Sequence, residues 1–493
     1  MASCDADVSF WETRVTVVEG AREAFGGITV GVDVGTTSVK AVAVDRDGQV
    51  LARARVSHKV MVPAPDRLEH DAGRAWRQGP RRAYAAVTAG LSVPVAGVAV
   101  SAMVPSLTAV DRRGVPVLPG VLYGDGRGVD DATPGDRDDG SDTGGTAAIP
   151  DTTGFLRWAV AGAPSARGYW PAQAVATHAL SGVPAMDSAT AMAFGDLSDH
   201  RGWRADRLAD FGASVDQMPA IVAMGQPAGE IAGTGTAVAG GAIDAYCDQI
   251  VAGATEPGDV LAIFGATLVV WIVVDDWIEV PGLVTIPHSE PGRVLVGGPS
   301  NAGALFVDWA RRLLRGQQVG PRLARNASAD GATGDGRAGD PARVPVWLPY
   351  VRGERIPFND PMLRASVHGL DITQGPAAVT RGAYEASGFV IRRMLDLAGV
   401  DGRRVVASGG GTQVSDWMAG VADGTGLPVD VVAVPEGAAY GAAFVARVAA
   451  GLEPSTGEAG RWARTGRRVT PDAAWMPATA ERYRRFVELG TGC

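Results

Sequence analysis

Apolar residues alternate with small or polar ones from Ile28 to Val34 (ITVGVDV), the pattern of a strand with one buried face. Val39 to Asp45 reads as the return strand, with Gly35-Thr36-Thr37-Ser38 turning between them, and a third strand ending near Ser57 follows the Asp47-Gly48 turn. The spacing in DAGRAWRQGPRRAYAAVTAGL predicts a helix, and VAGVAVSAM predicts a further buried strand. The strand-turn-strand pattern returns past mid-chain in DVLAIFGATLVVWIVV, Asp259 to Val274, where Gly265-Ala266-Thr267 stands between two β-rich runs. Later, RRVVASGGGTQVSDWMAGVADGTGLPV reads as a short strand, three glycines at 409 to 411, and a helix. Residues 128–150 and 316–343 lack periodicity and read as solvated loops.

An early hairpin echoed past mid-chain predicts two related α/β domains facing each other across a cleft. The length agrees, because 493 residues exceed what one compact core accommodates. Hydrophobic content of 46% and charged content of 20% are those of a globular chain. A net charge of -9 argues against nucleic-acid or anionic-membrane partners, which need clustered cations. No apolar run approaches the ~20 residues of a membrane span. The first residues carry acids where a secretory leader carries bases, so a cytoplasmic location is expected. Cys4, Cys247 and Cys493 have neither zinc-site nor disulfide-framework spacing.

The turn at residues 35 to 38 suits a phosphate. Gly35 lets backbone amides approach an anion, the hydroxyls of Thr36, Thr37 and Ser38 can donate to it, and Asp33 is a hard oxygen ligand suited to Mg²⁺. An ordinary hairpin with Thr and Ser in its turn would look the same. Lysine stands only at 40 and 59, and neither lysine follows a glycine, so the chain contains no Gly-Lys-Ser/Thr phosphate loop. Three consecutive glycines between strand and helix permit close backbone approach to a flat or phosphorylated ligand.

LPYVRGERIPFNDPMLRASVHGLDI (348 to 372), SGGGTQVSDW (408 to 417) and PEGAAYGAAFVARVAAG resemble, in order, the Gly-Glu-Arg-x-Pro segment, the adenosine-binding glycine motif and the closing Ala/Gly helix of the FGGY carbohydrate kinases. The resemblance runs from about Ile28 to Gly451 and implies an α/β fold of two actin-like ATPase (ribonuclease H-like) domains facing each other across a catalytic cleft. It implies an extension at 1–26, an N-terminal domain at 27–256 for sugar, phosphate and Mg²⁺, a nucleotide-binding domain at 257–455 and a tail at 456–493. GGAIDAYCDQ places Asp244 at the position of the family's catalytic aspartate; Asp248, one helical turn on, is its rival and otherwise a solvated or capping acid. ATP and Mg²⁺ are the implied cofactors, with Asp33 at the metal. Gly35, Thr36, Thr37, Gly265, Ala266 and Thr267 would surround the phosphates, and Gly303, Gly411 and Ser415 would approach the nucleotide.

On the sugar side, Glu69-His70-Asp71 resembles a Glu-Gln-Asp segment of these kinases, and VLYGDGRG resembles their Trp-x-Asp-x-Arg segment with Tyr123 in the tryptophan's place. Asp125 and Arg127 are kept. Val104-Pro105 stands where xylulokinases carry the Met-His that touches the sugar, and Gly265-Ala266-Thr267 stands where Gly-Thr-Ser is usual. The resemblance therefore implies phosphorylation of a small ketose such as xylulose or a related pentulose, bound by Val104, Pro105, Asp125 and Asp244. A kinase of another polyol (glycerol, erythritol, ribulose) and a non-catalytic sugar or nucleotide sensor derived from a kinase stay open. A chaperone-type actin-like ATPase has no reason to carry GERIP or the Asp244 segment. A homodimer is expected by analogy alone.

Overall fold

A computed structural model describes residues 13–17, 27–64, 67–128, 152–199, 201–289, 292–314, 340–360 and 362–490. These divide into two compact units, the first running to Val251 and taking in Glu436–Trp462, the second comprising Ala252–Pro435 and the chain from Ala463 onward. The single boundary near residue 256 read from the sequence has no place for this exchange of segments. Most of both aperiodic loops lies outside the described residues.

In the first unit, strands β1 (Thr13–Val17), β2 (Ile28–Val34), β3 (Ser38–Val44), β4 (Val50–Ser57) and β5 (Val95–Ala102) lie in the sheet order β1-β4-β3-β2-β5. The sheet continues through Thr236–Ala239 and Pro227–Ile231. β2, β3 and β4 form an antiparallel meander, while β5 runs parallel to β2. β1 pairs antiparallel with β4, Thr13 opposite Val56. This corrects the reading of residues 1–26 as an extension that merely precedes the first strand: five of them form the sheet edge. The alternating valines of β2 are all buried, because this strand is covered on both faces.

One cover of β2 is the helix Gly437–Ala449, which is rich in alanine and glycine. A Cβ on Gly31 of β2 would stand 1.8 Å from the Ala439 carbonyl oxygen, so glycine is what lets helix and strand touch. The Tyr440 hydroxyl then donates to the Gly48 carbonyl at 2.7 Å, and the Ser101 hydroxyl donates to the Ala438 carbonyl at 3.3 Å. The predicted helix after Asp71 forms as a wide turn at Gly73–Gln78 that continues into α1 (Gly79–Thr88).

The second unit repeats the plan. Strands β6 (Asp259–Phe264), β7 (Leu268–Val274), β8 (Val294–Ser300), β9 (Arg404–Ser408), β10 (Val429–Val432) and β11 (Thr465–Val469) give the order β8-β7-β6-β9-β10-β11. The first three are an antiparallel meander, and β9 runs parallel to β6 as β5 does to β2. The echo between the two hairpins is therefore a repeated topology. A core of Val, Ile, Phe and Trp packs this sheet against helices at Ala304–Leu314, Pro376–Ala398 and Ser415–Thr425. Arg381, Glu385, Asp423 and Arg482 form a buried charge network there, with Arg381 Nε 2.9 Å from Glu385 Oε1 and Arg482 Nε 2.7 Å from Glu385 Oε2.

Candidate active site

The β2–β3 turn closes through the Gly35 amide, which donates to the Ser38 carbonyl at 3.1 Å. Antiparallel pairing sets Asp33 directly opposite Lys40, so both side chains lie on one face, with Lys40 Nζ 3.5 Å from Asp33 Oδ2. Burial raises the Asp33 carboxyl above the usual carboxylate range, and the Lys40 charge opposes the rise.

Asp244 begins the helix Asp244–Ala252, directly after the strand Ala242–Ile243 that pairs parallel with the end of β5. The Gly241 carbonyl just before this strand accepts from the Asp187 amide at 2.8 Å and from the Thr190 hydroxyl at 3.1 Å, which fixes the entry into the helix. The Asp244 carboxyl is pushed up to about 6, first by burial and then by the negative charge of Asp33, against the Ala245 amide and Lys40. Two carboxyls and one ammonium thus act on one another beside a hydroxyl-rich turn. Asp248 is buried one turn on; burial raises the neighbouring Cys247 thiol, and the charges of Asp187, Asp244, Asp248 and Asp33 add to the rise.

Val104-Pro105 follows β5 after Met103 and is joined by a cis peptide bond, with Pro105 buried. Asp125 is buried and fully engaged: its Oδ2 accepts from the Leu68 amide at 2.6 Å and from Arg127 Nη2 at 2.6 Å, while Oδ1 accepts from Arg127 Nε at 2.7 Å. Arg127 also pairs with Glu69 at 2.6 Å and lies 4.6 Å above the Trp158 ring. Asp125 acts in this geometry by holding Arg127 in place. Tyr123 links this cluster to the turn through a 2.7 Å hydrogen bond between its hydroxyl and that of Thr36.

In the second unit, the Gly265-Ala266-Thr267 turn is held by the first turn of Ala304–Leu314. The Ala304 and Leu305 amides donate to the Gly265 and Ala266 carbonyls, both at 3.0 Å. Gly303 makes this possible, since a Cβ there would lie 2.2 Å from the Thr267 backbone. Glu354 of GERIP supports the same segment from below: it accepts from the Ser300 hydroxyl at 2.7 Å, the Asn301 amide at 2.9 Å and the Arg355 amide at 2.8 Å. Burial pushes its carboxyl up to about 7 against those three donors. In the Gly409–Gly411 segment each glycine does something different. Gly409 has a positive φ of 91°, a Cβ on Gly411 would stand 2.5 Å from the Trp417 ring, and Gly410 has open space around it. Ser415 opens the following helix and is exposed.

Among the described residues no cluster of three or more His, Cys, Asp or Glu could cage a metal. A buried carboxylate such as Asp33 beside a hydroxyl-rich turn fits Mg²⁺, which keeps most of its water and takes the rest of its ligands from phosphates. Asp33 would hold such an ion. Among the described residues, no helix is long and apolar enough to cross a membrane.

A repeated α/β plan with a hydroxyl-rich turn in one unit and an open glycine turn in the other defines the two-domain ATPase-like fold of a phosphotransferase. Residues 28–244 match the N-terminal domain of the FGGY family of carbohydrate kinases and residues 261–450 match its C-terminal domain, so the chain belongs to that family. It is an ATP-dependent carbohydrate kinase acting on a small molecule. The xylulose kinase of Escherichia coli is 25% identical over 458 residues, covering 86% of this chain and 91% of that protein. The glycerol kinase of Roseobacter denitrificans is 28% identical over 471 residues, covering 88% and 93%. The crystal structure of xylulose kinase from Rhodospirillum rubrum superposes with a TM-score of 0.73 at 26% identity, covering 94% of this chain and 98% of that one.

Three residues beside these turns have no role in a reading of the sequence alone. Lys40 carries a signal, as one of two lysines in a chain that otherwise uses arginine, placed seven positions after Asp33. Glu354 lies in a recognised motif without a stated task. His70 stands in the Glu69-His70-Asp71 segment read on the sugar side, and its contacts at the turn come from other elements of the fold.

Proposed function

We propose that the chain transfers the γ-phosphoryl group of ATP to a hydroxyl of a small ketose, a pentulose such as xylulose, with Asp244 as general base. The observation that carries this is the Asp244 carboxyl at the start of its helix, under the electrostatic influence of Asp33 and Lys40 and poised at about 6. The acceptor hydroxyl gives its proton to Asp244 as its oxygen bonds to the γ-phosphorus, and the bond from that phosphorus to the β,γ-bridging oxygen breaks to release ADP.

In the first unit, Gly35, Thr36 and Thr37 take the phosphates, and Lys40 supplies a fixed positive charge beside them. Asp33 would be the protein ligand of a Mg²⁺ ion arriving with the nucleotide, and that ion would offset the charge of the phosphates. In the second unit, Gly265, Ala266 and Thr267 offer backbone amides, where side-chain identity matters little. Gly303 lets that turn pack, and Gly411 and Ser415 belong to the adenosine end. Val104, Pro105 and the Glu69–Arg127–Asp125 cluster shape the acceptor end. Similarity to xylulose kinases of Escherichia coli and Rhodospirillum rubrum supports a pentulose. The glycerol kinase relative, together with Val104-Pro105 in place of Met-His, supports a shorter polyol as the second reading.

The test couples ADP release to a panel of pentuloses, hexuloses, tetritols and glycerol, with Asp244→Asn and Asp248→Asn as controls. Acceptor-stimulated turnover lost in Asp244→Asn by about 10²-fold or more is expected. Retained turnover in Asp244→Asn with loss in Asp248→Asn would transfer the role to Asp248.

A further inference from the structure

The strand Glu69–His70 brings a fully buried histidine beneath the phosphate turn. The Trp76 indole N–H, which can only donate, lies 2.9 Å from His70 Nδ1. That contact leaves Nδ1 as the acceptor and puts the ring proton on Nε2, which is 2.8 Å from the Thr36 carbonyl and donates to it. His58 packs edge-on against the ring with centroids 4.5 Å apart, and burial takes the His70 imidazole down to about 3, so it stays neutral. The neighbouring Thr37 carbonyl is also claimed from the protein side, by the His58 amide at 3.0 Å.

In a trans peptide unit the C=O and the following N–H point in opposite directions. A Thr36 carbonyl tied inward to His70 therefore turns the Thr37 amide the other way, away from the imidazole. The Thr36 hydroxyl is fixed separately by Tyr123. We propose that His70 is a positioning residue: with its tautomer set by Trp76, it fixes the Thr36–Thr37 peptide plane so that the Thr37 amide is presented to a nucleotide phosphate. This rests on the assignment of Thr36 and Thr37 to the phosphates. Where the family segment carries glutamine, the amide N–H of that side chain could serve the same carbonyl, whereas a hydrocarbon ring could not.

The test compares wild type, His70→Gln and His70→Phe by calorimetric titration with Mg-ADP and with adenosine, alongside KM and kcat for ATP. His70→Phe should weaken ADP about tenfold, the scale of one lost hydrogen bond, and leave adenosine unchanged, while His70→Gln recovers most of the affinity. Equal losses for ADP and adenosine, or no loss for either in a folded variant, would overturn the proposal. Should His70→Phe fail to fold, nitrogen-15 shifts of the wild-type His70 ring decide: a protonated Nε2 that responds to ADP and not to adenosine is expected, and an unresponsive ring refutes. A wild type that binds ADP but phosphorylates no acceptor would remove the kinase reading and leave these comparisons decisive. A wild type that binds no ADP would overturn both.

Discussion

Acidification should switch the reaction off through one carboxyl. With Asp244 at about 6, its ionised fraction falls from about nine-tenths at pH 7 to about one-tenth at pH 5. A general base works only when ionised, so kcat/KM for the acceptor should drop roughly tenfold across that interval. The position of the acid limb has named causes, and each can be altered. Lys40 holds the Asp244 value down, so Lys40→Met should move the limb to higher pH. Asp244→Asn should abolish the limb and leave a residual rate about 10²-fold lower or less. The assay is ADP release at fixed Mg²⁺ from pH 4.5 to 8.5, with circular dichroism at each pH to show that the fold persists. A flat profile between pH 5 and 7 in a folded wild type, or an acid limb that survives in Asp244→Asn, would refute the assignment.

Gly303→Ala drives a methyl group into the Thr267 backbone, 2.2 Å from its nearest atom, and should raise KM for ATP by tenfold or more with a smaller effect on the acceptor, as steady-state kinetics would show. Arg127→Ala removes the partner shared by Asp125 and Glu69 and should raise the acceptor KM while leaving that for ATP close to wild type. Glu354 has its folded value raised to about 7 from 4.5, so the stability its carboxyl contributes is full below about 4.5 and lost as pH rises through 7. Thermal unfolding at pH 5 and pH 8 should therefore show a larger fall in Tm for wild type than for Glu354→Gln.

Much of the scaffold could be read from periodicity. The alternation in ITVGVDV, the return strand and the third strand are β2, β3 and β4, because two-fold side-chain alternation and turn chemistry are local properties. The hairpin at Asp259 to Val274 was legible for the same reason, whereas the helix starting at Asp244 was expected from the family resemblance alone. What escaped was settled by distant partners. Nothing near Thr13 announces pairing with Val56, since an edge strand borrows its register from its neighbour. Asp125 reads as a sugar-side acid, yet both of its oxygens are taken by Leu68 and Arg127, which only the fold brings there. His70 looked like one member of a sugar segment until Trp76 and Thr36 were seen at its two nitrogens.

The return of Glu436–Trp462 to the first unit has a consequence for how the chain is made. The groove over Gly31 stays empty until Ala439 has been synthesised, and β11 and the helix Met476–Gly490 of the second unit come later still. The domain that starts first on the ribosome therefore cannot close until most of the second has been made, and a fragment stopped near residue 256 would leave the buried face of β2 open to water. Nascent chains of this protein therefore carry a half-covered sheet until the helix Gly437–Ala449 has been made.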